Sequence, residues 1–100
     1  MTRPRLRAAA RKILRAGLEA VEPSRLVQAH LRVHRDVVWI AGIRVGRPGR
    51  LFVVSVGKAA VPMARAAHEV LGESVTAAIV IAPCRAPRMP RTRTFVAGHP

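Results

Sequence analysis

The chain has 100 residues, of which 50% are apolar, and its 18 Lys and Arg against 5 Asp and Glu give a formal net charge of +13 at pH 7. This length suits one folding unit and is too short for the two-lobed architecture with which many enzymes enclose a small substrate. No apolar run reaches the roughly 20 residues of a membrane-spanning helix, and the single Cys84 excludes an internal disulfide and a cysteine-rich zinc site.

The first predicted element is an amphipathic helix from Leu6 to Val21. Its apolar residues recur at spacings of three and four positions, which is typical of a helix with one apolar face. Arg7, Arg11 and Arg15 follow one another on the opposite side. A basic N-terminus that is poor in acidic residues is also found in mitochondrial transit peptides. The uninterrupted pattern up to Pro23 favours a helix of the domain.

A second, shorter helix is expected after Pro23, because proline stops the first one. Ser24 is suited to cap the second helix, and Val27 and Leu31 continue its apolar pattern. The sequence therefore predicts two helices at the N-terminal end.

Three apolar segments then indicate β-structure. The segment VVWIAGIRV, Val37 to Val45, has β-branched residues around Gly42 and precedes GRPGR, which predicts a short strand or hairpin that ends in a turn. The segment LFVVSV, Leu51 to Val56, is almost continuously apolar, so we expect a strand buried on both faces in a parallel sheet covered by helices. The segment VTAAIVIA, Val75 to Ala82, predicts another buried strand.

A helix is predicted between these last two strands, with its first residues near Ala59 to Val61, because Pro62 suits only the start of a helix. Gly72 is its expected C-cap. The helix carries one apolar face, made of Ala60, Met63, Ala64, Ala67, Val70 and Leu71. The order strand, helix, strand predicts a βαβ unit and an α/β fold. A Pro-rich and Arg-rich loop, 83–90, then leads to a short strand over 94–97.

The junction at Gly57 and Lys58 is the candidate binding site. In a βαβ unit, the turn after a strand and the first turn of the next helix form a ligand-binding edge, since free N–H groups and the helix dipole favour an anion there. Gly57 permits the sharp turn, and Lys58 adds a full positive charge. Neither G-x-x-x-x-G-K-[ST] nor G-x-G-x-x-G is present. A solvated lysine at a helix end therefore stays open as the structural interpretation.

Three blocks carry a resemblance to a known family: AGLEAVEPSRLVQAHL, LFVVSVGKAAVPMARAAHEVLGESVTAAIVIAP and FVAGHP. In this order they resemble the N-terminal portion of the class II glycerate 2-kinases, from roughly Ala8 to Pro100. The resemblance implies that residues 1–100 are the N-terminal part of a Rossmann-like α/β domain, with a partial parallel sheet and flanking helices. It also implies that the rest of that domain and a second α/β domain are needed for the active site.

The resemblance further implies an ATP-dependent kinase that phosphorylates D-glycerate at its 2-hydroxyl, with ATP and Mg²⁺ as cofactors and a cytoplasmic location. In such kinases the lysine of the GKA motif lies in the active site, so Lys58 is the expected catalytic residue. The residues expected to bind substrate are Ser55, Gly57, Lys58, Ala59, Gly98 and His99. For Ser55, a buried hydroxyl bonded to the backbone is the competing interpretation.

The sequence supplies no metal site of its own. Its five carboxylates are predicted on helix surfaces, at helix ends or in a connection, and none converges on Lys58. We therefore expect the chain alone to be inactive, since phosphoryl transfer needs metal ions and carboxylates to hold them. His30 and His34, four residues apart, could bind a metal if both were helical, but Leu31 to Asp36 is predicted to be a helix end, which favours a hydrated pair. His68 is interpreted as a solvent-side residue and Cys84 as inert.

The alternative hypothesis is a small basic α/β module that binds nucleic acid or another polyanion without catalysis. Basic side chains release counterions from phosphate backbones. However, 16 of the 18 basic residues are Arg, scattered over helices, turns and the C-terminal loop, and Trp39, Phe52 and Phe95 are the only aromatic residues. The stacking platforms of single-strand binders are thus missing. We therefore do not expect nucleic acid as a partner, and the short apolar runs argue against a membrane. The resemblance implies a small-molecule substrate, glycerate, and a nucleotide as partners.

Overall fold

A computed structural model describes residues 2–98, which form three α-helices, a short 3-10 helix and two three-stranded sheets. The helices are α1 (Arg3–Ala20), α2 (Pro23–His30), α3 (Ala60–Leu71) and the 3-10 helix (Gly72–Ser74). The strands are β1 (Leu31–His34), β2 (Val37–Ile40), β3 (Ile43–Gly46), β4 (Phe52–Val56), β5 (Ala77–Ala82) and β6 (Thr92–Val96). The predicted α/β class is confirmed. None of the helices within residues 2–98 is long and apolar enough to cross a lipid bilayer.

The first helix is confirmed, but it buries none of its residues. Leu6, Ile13, Leu14 and Leu18 on its apolar face are all more than half exposed, with Ile13 reaching 74%. The amphipathic pattern therefore forms a helix whose apolar face is not covered within residues 2–98.

The second helix is capped by Glu22, and the prediction that Ser24 caps it is wrong. Both carboxylate oxygens of Glu22 accept hydrogen bonds, one from the backbone N–H of Ser24 and one from that of Arg25, at 3.1 Å each. These bonds, the one from Ser24 foremost, lower the pKa of Glu22. Because Pro23 occupies the first helical position, the residue before it becomes the cap. The hydroxyl of Ser24 instead donates to the carbonyl of Pro62 at 3.4 Å and links α2 to α3.

The second helix ends at His30, and the prediction of a helix end between Leu31 and Asp36 is wrong. Residues Leu31–His34 form β1, which pairs antiparallel with β2, and β2 pairs antiparallel with β3. Two-residue turns join these strands, and residues 35, 36, 41 and 42 all have positive φ, which is typical of tight hairpins. The predicted hairpin around Gly42 is confirmed. His30 and His34 do not share a helix face, since only His30 is helical.

The predicted βαβ unit is confirmed in the second sheet, where β5 lies between β4 and β6 and all strands are parallel. Helix α3 covers one face of this sheet. Ala60 and Ala64 of the helix pack with Val80 and Ala82 of β5. Towards its C-terminal end, the helix also packs against Val38 of the antiparallel sheet, which is only 1% exposed.

Two details of α3 differ from the predicted apolar face. Ala66 is buried, while Met63 is exposed. Small alanines let the helix approach two sheets at once, so the buried surface is wider than one stripe. Gly72 ends the helix with a φ of 54°, as its predicted role as C-cap requires. The loop over 83–90 contains no helix or strand.

The expectation that both faces of the parallel sheet are buried is wrong. Along β4, Val53 is half-buried and Ser55 is buried, whereas Phe52, Val54 and Val56 are exposed. Successive side chains of a strand point to opposite faces, and α3 lies on one face only. The other face of the sheet is bare within residues 2–98.

Candidate functional site

The carboxyl ends of the three parallel strands meet at one edge of the sheet. A cavity of about 210 Å³ opens there between the turn after β4, the end of β5 and the residues after β6. It is lined by Val56, Gly57, Lys58, Ile81, Ala82, Pro83, Ala97 and Gly98. In open α/β sheets this edge is the usual place for a ligand.

Two backbone hydrogen bonds hold the turn at Gly57, one to β5 and one to the start of α3. The N–H of Gly57 donates to the carbonyl of Ile81 at 3.0 Å, and the carbonyl of Gly57 accepts from the N–H of Ala60 at 3.2 Å. Gly57 has a φ of +114°, a conformation that side chains on L-residues rarely allow. The glycine therefore turns the chain sharply from the strand into α3 and leaves Lys58 at the rim of the cavity.

Lys58 is exposed and stands two residues before α3. No carboxylate of residues 2–98 lies within ion-pair distance of the Lys58 ammonium. The ion pair within those residues joins Arg25 to Glu19 at 3.7 Å, away from this site. The N-terminus of α3 also has no side-chain cap. Free positive charge and the positive end of a helix dipole therefore coincide at this edge, which favours a bound anion.

Ser55 and Ala59 were both expected at the ligand edge, but neither lines the cavity. The hydroxyl of Ser55 is buried and donates to the carbonyl of Ala60 at 2.7 Å. It points to the α3 side of the sheet because it alternates with the exposed Val54 and Val56. Ala59 is the N-cap residue of α3. Both residues thus shape the turn that carries Lys58.

Gly98 lines the same cavity as Lys58, although β5 lies between the strands that the two residues follow. The N–H of Ala97 donates to the carbonyl of Ala82 at 2.9 Å, which holds the end of β6 against β5. His99, the other predicted residue of this block, lies outside the described residues. A role for Lys58, Gly57 and Gly98 in binding stays a prediction.

Five further residues complete the lining of the cavity and were not predicted from the sequence: Val56, Ile81, Ala82, Pro83 and Ala97. All five are apolar and carry no chemical signal of their own. The available signal was topological, because each lies at or after the end of a predicted parallel strand. Strand ends of a parallel sheet share one edge, so the set follows once the strand order is known.

Acidic groups are absent from the cavity lining. Across residues 2–98, His, Cys, Asp and Glu form no group of three or more that could hold a metal ion. Cys84 is a free, exposed thiol next to Pro83 of the lining. The described part of the site therefore offers one ammonium group and no carboxylate, which suits an anion rather than a cation.

His68 was expected on the solvent side of α3, and that expectation is wrong. Its Nε2 lies 2.8 Å from the hydroxyl oxygen of Thr92, which itself donates to the carbonyl of Pro90 at 2.8 Å. Burial, and secondly the charge of Arg91, lower the pKa of His68. The histidine is thus a link between α3 and the start of β6.

Comparisons with known proteins place the chain in a family. The chain is similar to the PH0495 protein from Pyrococcus horikoshii OT3, with a TM-score of 0.81 and 26% sequence identity over 95% of this chain. The match covers 22% of that protein, so the chain spans about a fifth of its length. No protein of curated function matches the chain. Residues 9–100 match DUF4147, a domain of unknown function, and the chain therefore belongs to the DUF4147 family.

Proposed function

We propose that this chain is the N-terminal part of an ATP-dependent kinase that phosphorylates D-glycerate at its 2-hydroxyl. The resemblance of the VGKAA and GHP blocks to class II glycerate 2-kinases supports the proposal. The observation that carries it is the cavity at the carboxyl edge of the sheet, where Lys58 and Gly98 meet from two different blocks.

The role assigned to Lys58 is to bind and orient an anionic group at the rim of the cavity. Its ammonium group is free of carboxylate partners within residues 2–98, so its charge is available to a carboxylate or a phosphoryl group. The N-terminal end of α3 adds a favourable dipole, while the N–H groups of Ala60 and Met63 donate within the chain to the carbonyls of Gly57 and Ala59. Positioning and charge stabilisation of this kind supply most of the catalysis in phosphoryl transfer.

The part of the cavity that residues 2–98 form is small. About 210 Å³ is below the roughly 300 to 1,000 Å³ that is usual for pockets of drug-sized ligands. A three-carbon acid or a single phosphoryl group suits this volume better than a whole nucleotide. Most contacts to ATP would then come from polypeptide outside residues 1–100.

The residues present do not fit Mg²⁺. This ion requires oxygen ligands, commonly one or two carboxylates with substrate phosphates, and the cavity lining contains no carboxylate. We therefore assign no step to a metal ion on this chain. The part played by residues 1–100 is confined to binding and orienting an anion.

The test is ATP-dependent phosphorylation of D-glycerate by the longer polypeptide that contains this segment. Lys58→Ala is expected to lower kcat/KM by at least about 100-fold, comparable to the loss of one preorganised donor at an active site. Lys12→Ala is the matched control, because Lys12 is the other lysine of the chain and lies on α1. An unchanged kcat/KM in Lys58→Ala contradicts the assigned role.

A further inference from the structure

The outer face of the antiparallel sheet carries the only tryptophan of the chain between two arginines. The strand register aligns Arg32 of β1 with Trp39 of β2, and Trp39 with Arg44 of β3, so the three residues lie in one row. His34, two residues after Arg32 on β1, lies on the same face. We call this surface the Trp39 face and define it by Arg32, His34, Trp39 and Arg44.

Alternation along β2 places Trp39 on the side of the sheet that faces solvent. Its neighbour Val38 is only 1% exposed and packs against α3, and successive side chains of a strand point to opposite faces. The other three members of the Trp39 face are exposed, and Trp39 itself is half-buried. Polar residues are expected on the solvated face of an antiparallel sheet. The Trp39 face is therefore a surface by composition, unlike the apolar face of the parallel sheet.

Arg32 and Trp39 form a stacked pair. The guanidinium carbon of Arg32 lies 4.9 Å from the centroid of the indole ring, within the roughly 6 Å of a cation–π contact. Two cavities flank the pair, and both are lined by Arg32 and Trp39. One of about 310 Å³ also reaches His34, and the other, of about 210 Å³, reaches His30 and Gly42. A ligand can therefore approach the flat pair from two sides.

The charge around the Trp39 face is positive. Residues 31–50 contain five arginines and one carboxylate, that of Asp36 in the exposed turn between β1 and β2. No carboxylate of residues 2–98 lies within ion-pair distance of Arg32 or Arg44. A guanidinium presents its N–H donors in a planar fork that matches a phosphate group. The face thus combines phosphate-binding groups with an aromatic ring.

Phosphate esters and acidic peptides both complement arginines of this kind. The ring of Trp39 favours the first, because a nucleobase stacks on an aromatic side chain or on a guanidinium plane, whereas an acidic peptide uses the charges alone. The face has a single tryptophan and hence one stacking position, which suits one base rather than a run of bases. A nucleotide joins one flat base to phosphate groups and meets both requirements.

We propose that the Trp39 face binds one nucleotide unit, whose base stacks against the Arg32–Trp39 pair and whose phosphate groups are held by Arg44 and the edge of the Arg32 guanidinium. Free nucleotides and single-stranded nucleic acid both present this unit, and the test distinguishes them. The site shares no lining residue with the cavity at Lys58. It requires nothing of the proposed kinase activity.

Intrinsic fluorescence tests the proposal directly, because Trp39 is the only tryptophan of the chain. The 100-residue chain is titrated with AMP, with ATP and with an oligothymidylate of about eight nucleotides, a length within the usual site sizes of single-strand binders. N-acetyltryptophanamide corrects for absorption by the ligand. Inorganic triphosphate and oligoglutamate are the controls that carry charge without a base.

We expect saturable quenching by the ligands that contain a base and none by the two charge controls. Saturation by ATP and AMP assigns the site to a free nucleotide, with AMP weaker because it carries fewer phosphate groups. Saturation by the oligothymidylate alone assigns the nucleotide unit to a single strand. Both results support the proposal.

Equilibrium dialysis of the ligand that saturates measures what each side chain contributes. Trp39→Leu is expected to weaken binding by about 5- to 150-fold, which corresponds to the roughly 1 to 3 kcal/mol of one base–aromatic stack. Trp39→Phe keeps an aromatic ring and should restore most of the affinity. Arg44→Gln should weaken binding by at least about 10-fold, since it removes a charged hydrogen bond.

Arg11→Gln is the matched control for the charge. Arg11 is an exposed arginine of α1, and its substitution lowers the net charge by the same amount as Arg44→Gln. We expect its affinity to stay within about twofold, because exposed charges remote from the ligand are screened by salt. Lys58→Ala should also leave the quenching of Trp39 unchanged, since Lys58 belongs to the other cavity.

Several results overturn the proposal. No saturable quenching by any of the three base-containing ligands shows that Arg32 and Trp39 are only a stabilising pair of the sheet. Equal quenching by oligoglutamate or triphosphate shows recognition of charge alone, and tighter binding of oligoglutamate assigns the face to an acidic peptide. Full affinity in Arg44→Gln places the ligand elsewhere, and loss in Lys58→Ala assigns it to the Lys58 cavity. If Trp39→Leu fails to melt cooperatively, the affinities of Trp39→Phe and Arg44→Gln decide.

Discussion

Ser55 donates its buried hydroxyl to the carbonyl oxygen of Ala60 at 2.7 Å and so ties the end of β4 to the first turn of α3. The two residues flank the Gly57-Lys58 turn. The bond closes the turn on the α3 side of the sheet, while the bond from Gly57 to Ile81 closes it towards β5. The position of Lys58 thus depends on contacts made by its neighbours.

Ser55→Ala removes this bond and is expected to lower the free energy of unfolding by about 0.5 to 1.5 kcal/mol, the usual net contribution of one buried hydrogen bond. Urea denaturation followed by circular dichroism measures the change. Thr94→Ala is the control, since Thr94 is an exposed residue of the same sheet and its loss should change stability by less than about 0.5 kcal/mol. Equal effects of the two substitutions would contradict a structural role for the Ser55 hydroxyl.

Gly57→Ala is expected to destabilise the chain by about 1 to 3 kcal/mol through backbone strain. The φ of +114° causes the cost, because an added Cβ would meet no atom within 4 Å and no clash contributes. Gly49→Ala is the matched control, because Gly49 is a loop glycine with equally open space around it but, unlike Gly57, without a positive φ. We expect Gly57→Ala to have a lower urea midpoint than the unaltered chain, and Gly49→Ala to have the same midpoint as the unaltered chain. A midpoint equal to that of the unaltered chain would show that the turn relaxes without cost.

The stability of the chain should depend on pH through His68. Its pKa in the folded chain lies below the ordinary 6.5, chiefly because of burial, so the unfolded chain binds more protons than the folded chain below that pH. The free energy of unfolding therefore falls as the pH drops through 6.5 and levels off only below the lowered folded pKa. Urea midpoints measured between pH 5 and 8 should show this fall.

His68→Gln removes the titrating group and should flatten that part of the pH profile. His34→Gln, at an exposed histidine of β1, is the control and should leave the fall in place. If the unaltered chain and His68→Gln have parallel profiles, the pH dependence does not come from His68.

Arg91 holds the end of α3 and the following 3-10 helix against the start of β6. Its Nε donates to the carbonyl of Val75 at 2.8 Å and its Nη2 to the carbonyl of Gly72 at 3.1 Å. Arg91→Met keeps the aliphatic stem and removes both donors, so a loss of about 1 to 3 kcal/mol is expected. Arg93→Met is the control, since the Arg93 side chain makes no hydrogen bond to residues 2–98. Thermal melts of the two variants compare their losses of stability. A larger loss for Arg93→Met would reverse the assignment.

Much of the second half of the fold could be predicted from the sequence. The apolar segment before Gly57, the helical periodicity up to Gly72 and the apolar segment after it are local patterns, and they identify β4, α3 and β5 within a few residues. The first half was harder. Leu31–His34 has only four residues, and its strand conformation depends on antiparallel pairing with Val37–Ile40, which no local pattern indicates.

Some residues of the candidate site could likewise be predicted from local sequence, and others could not. Gly57 and Lys58 could be singled out because a glycine and a cation at a strand-to-helix junction have a physical meaning on their own. Gly98 was linked to them by resemblance, and the parallel register places it at the same cavity. Ser55 could not be assigned to a face from the sequence, because its neighbours on both sides are apolar.

Local sequence patterns suffice to predict the secondary structure of the βαβ unit and the sharp turn that carries Lys58, because periodicity and backbone freedom are properties of adjacent residues. Long-range packing places the ends of β4, β5 and β6 around one cavity and leaves one face of their sheet uncovered within residues 2–98. Both depend on which strands pair and on which surface α3 covers, and these are contacts between residues far apart in the chain.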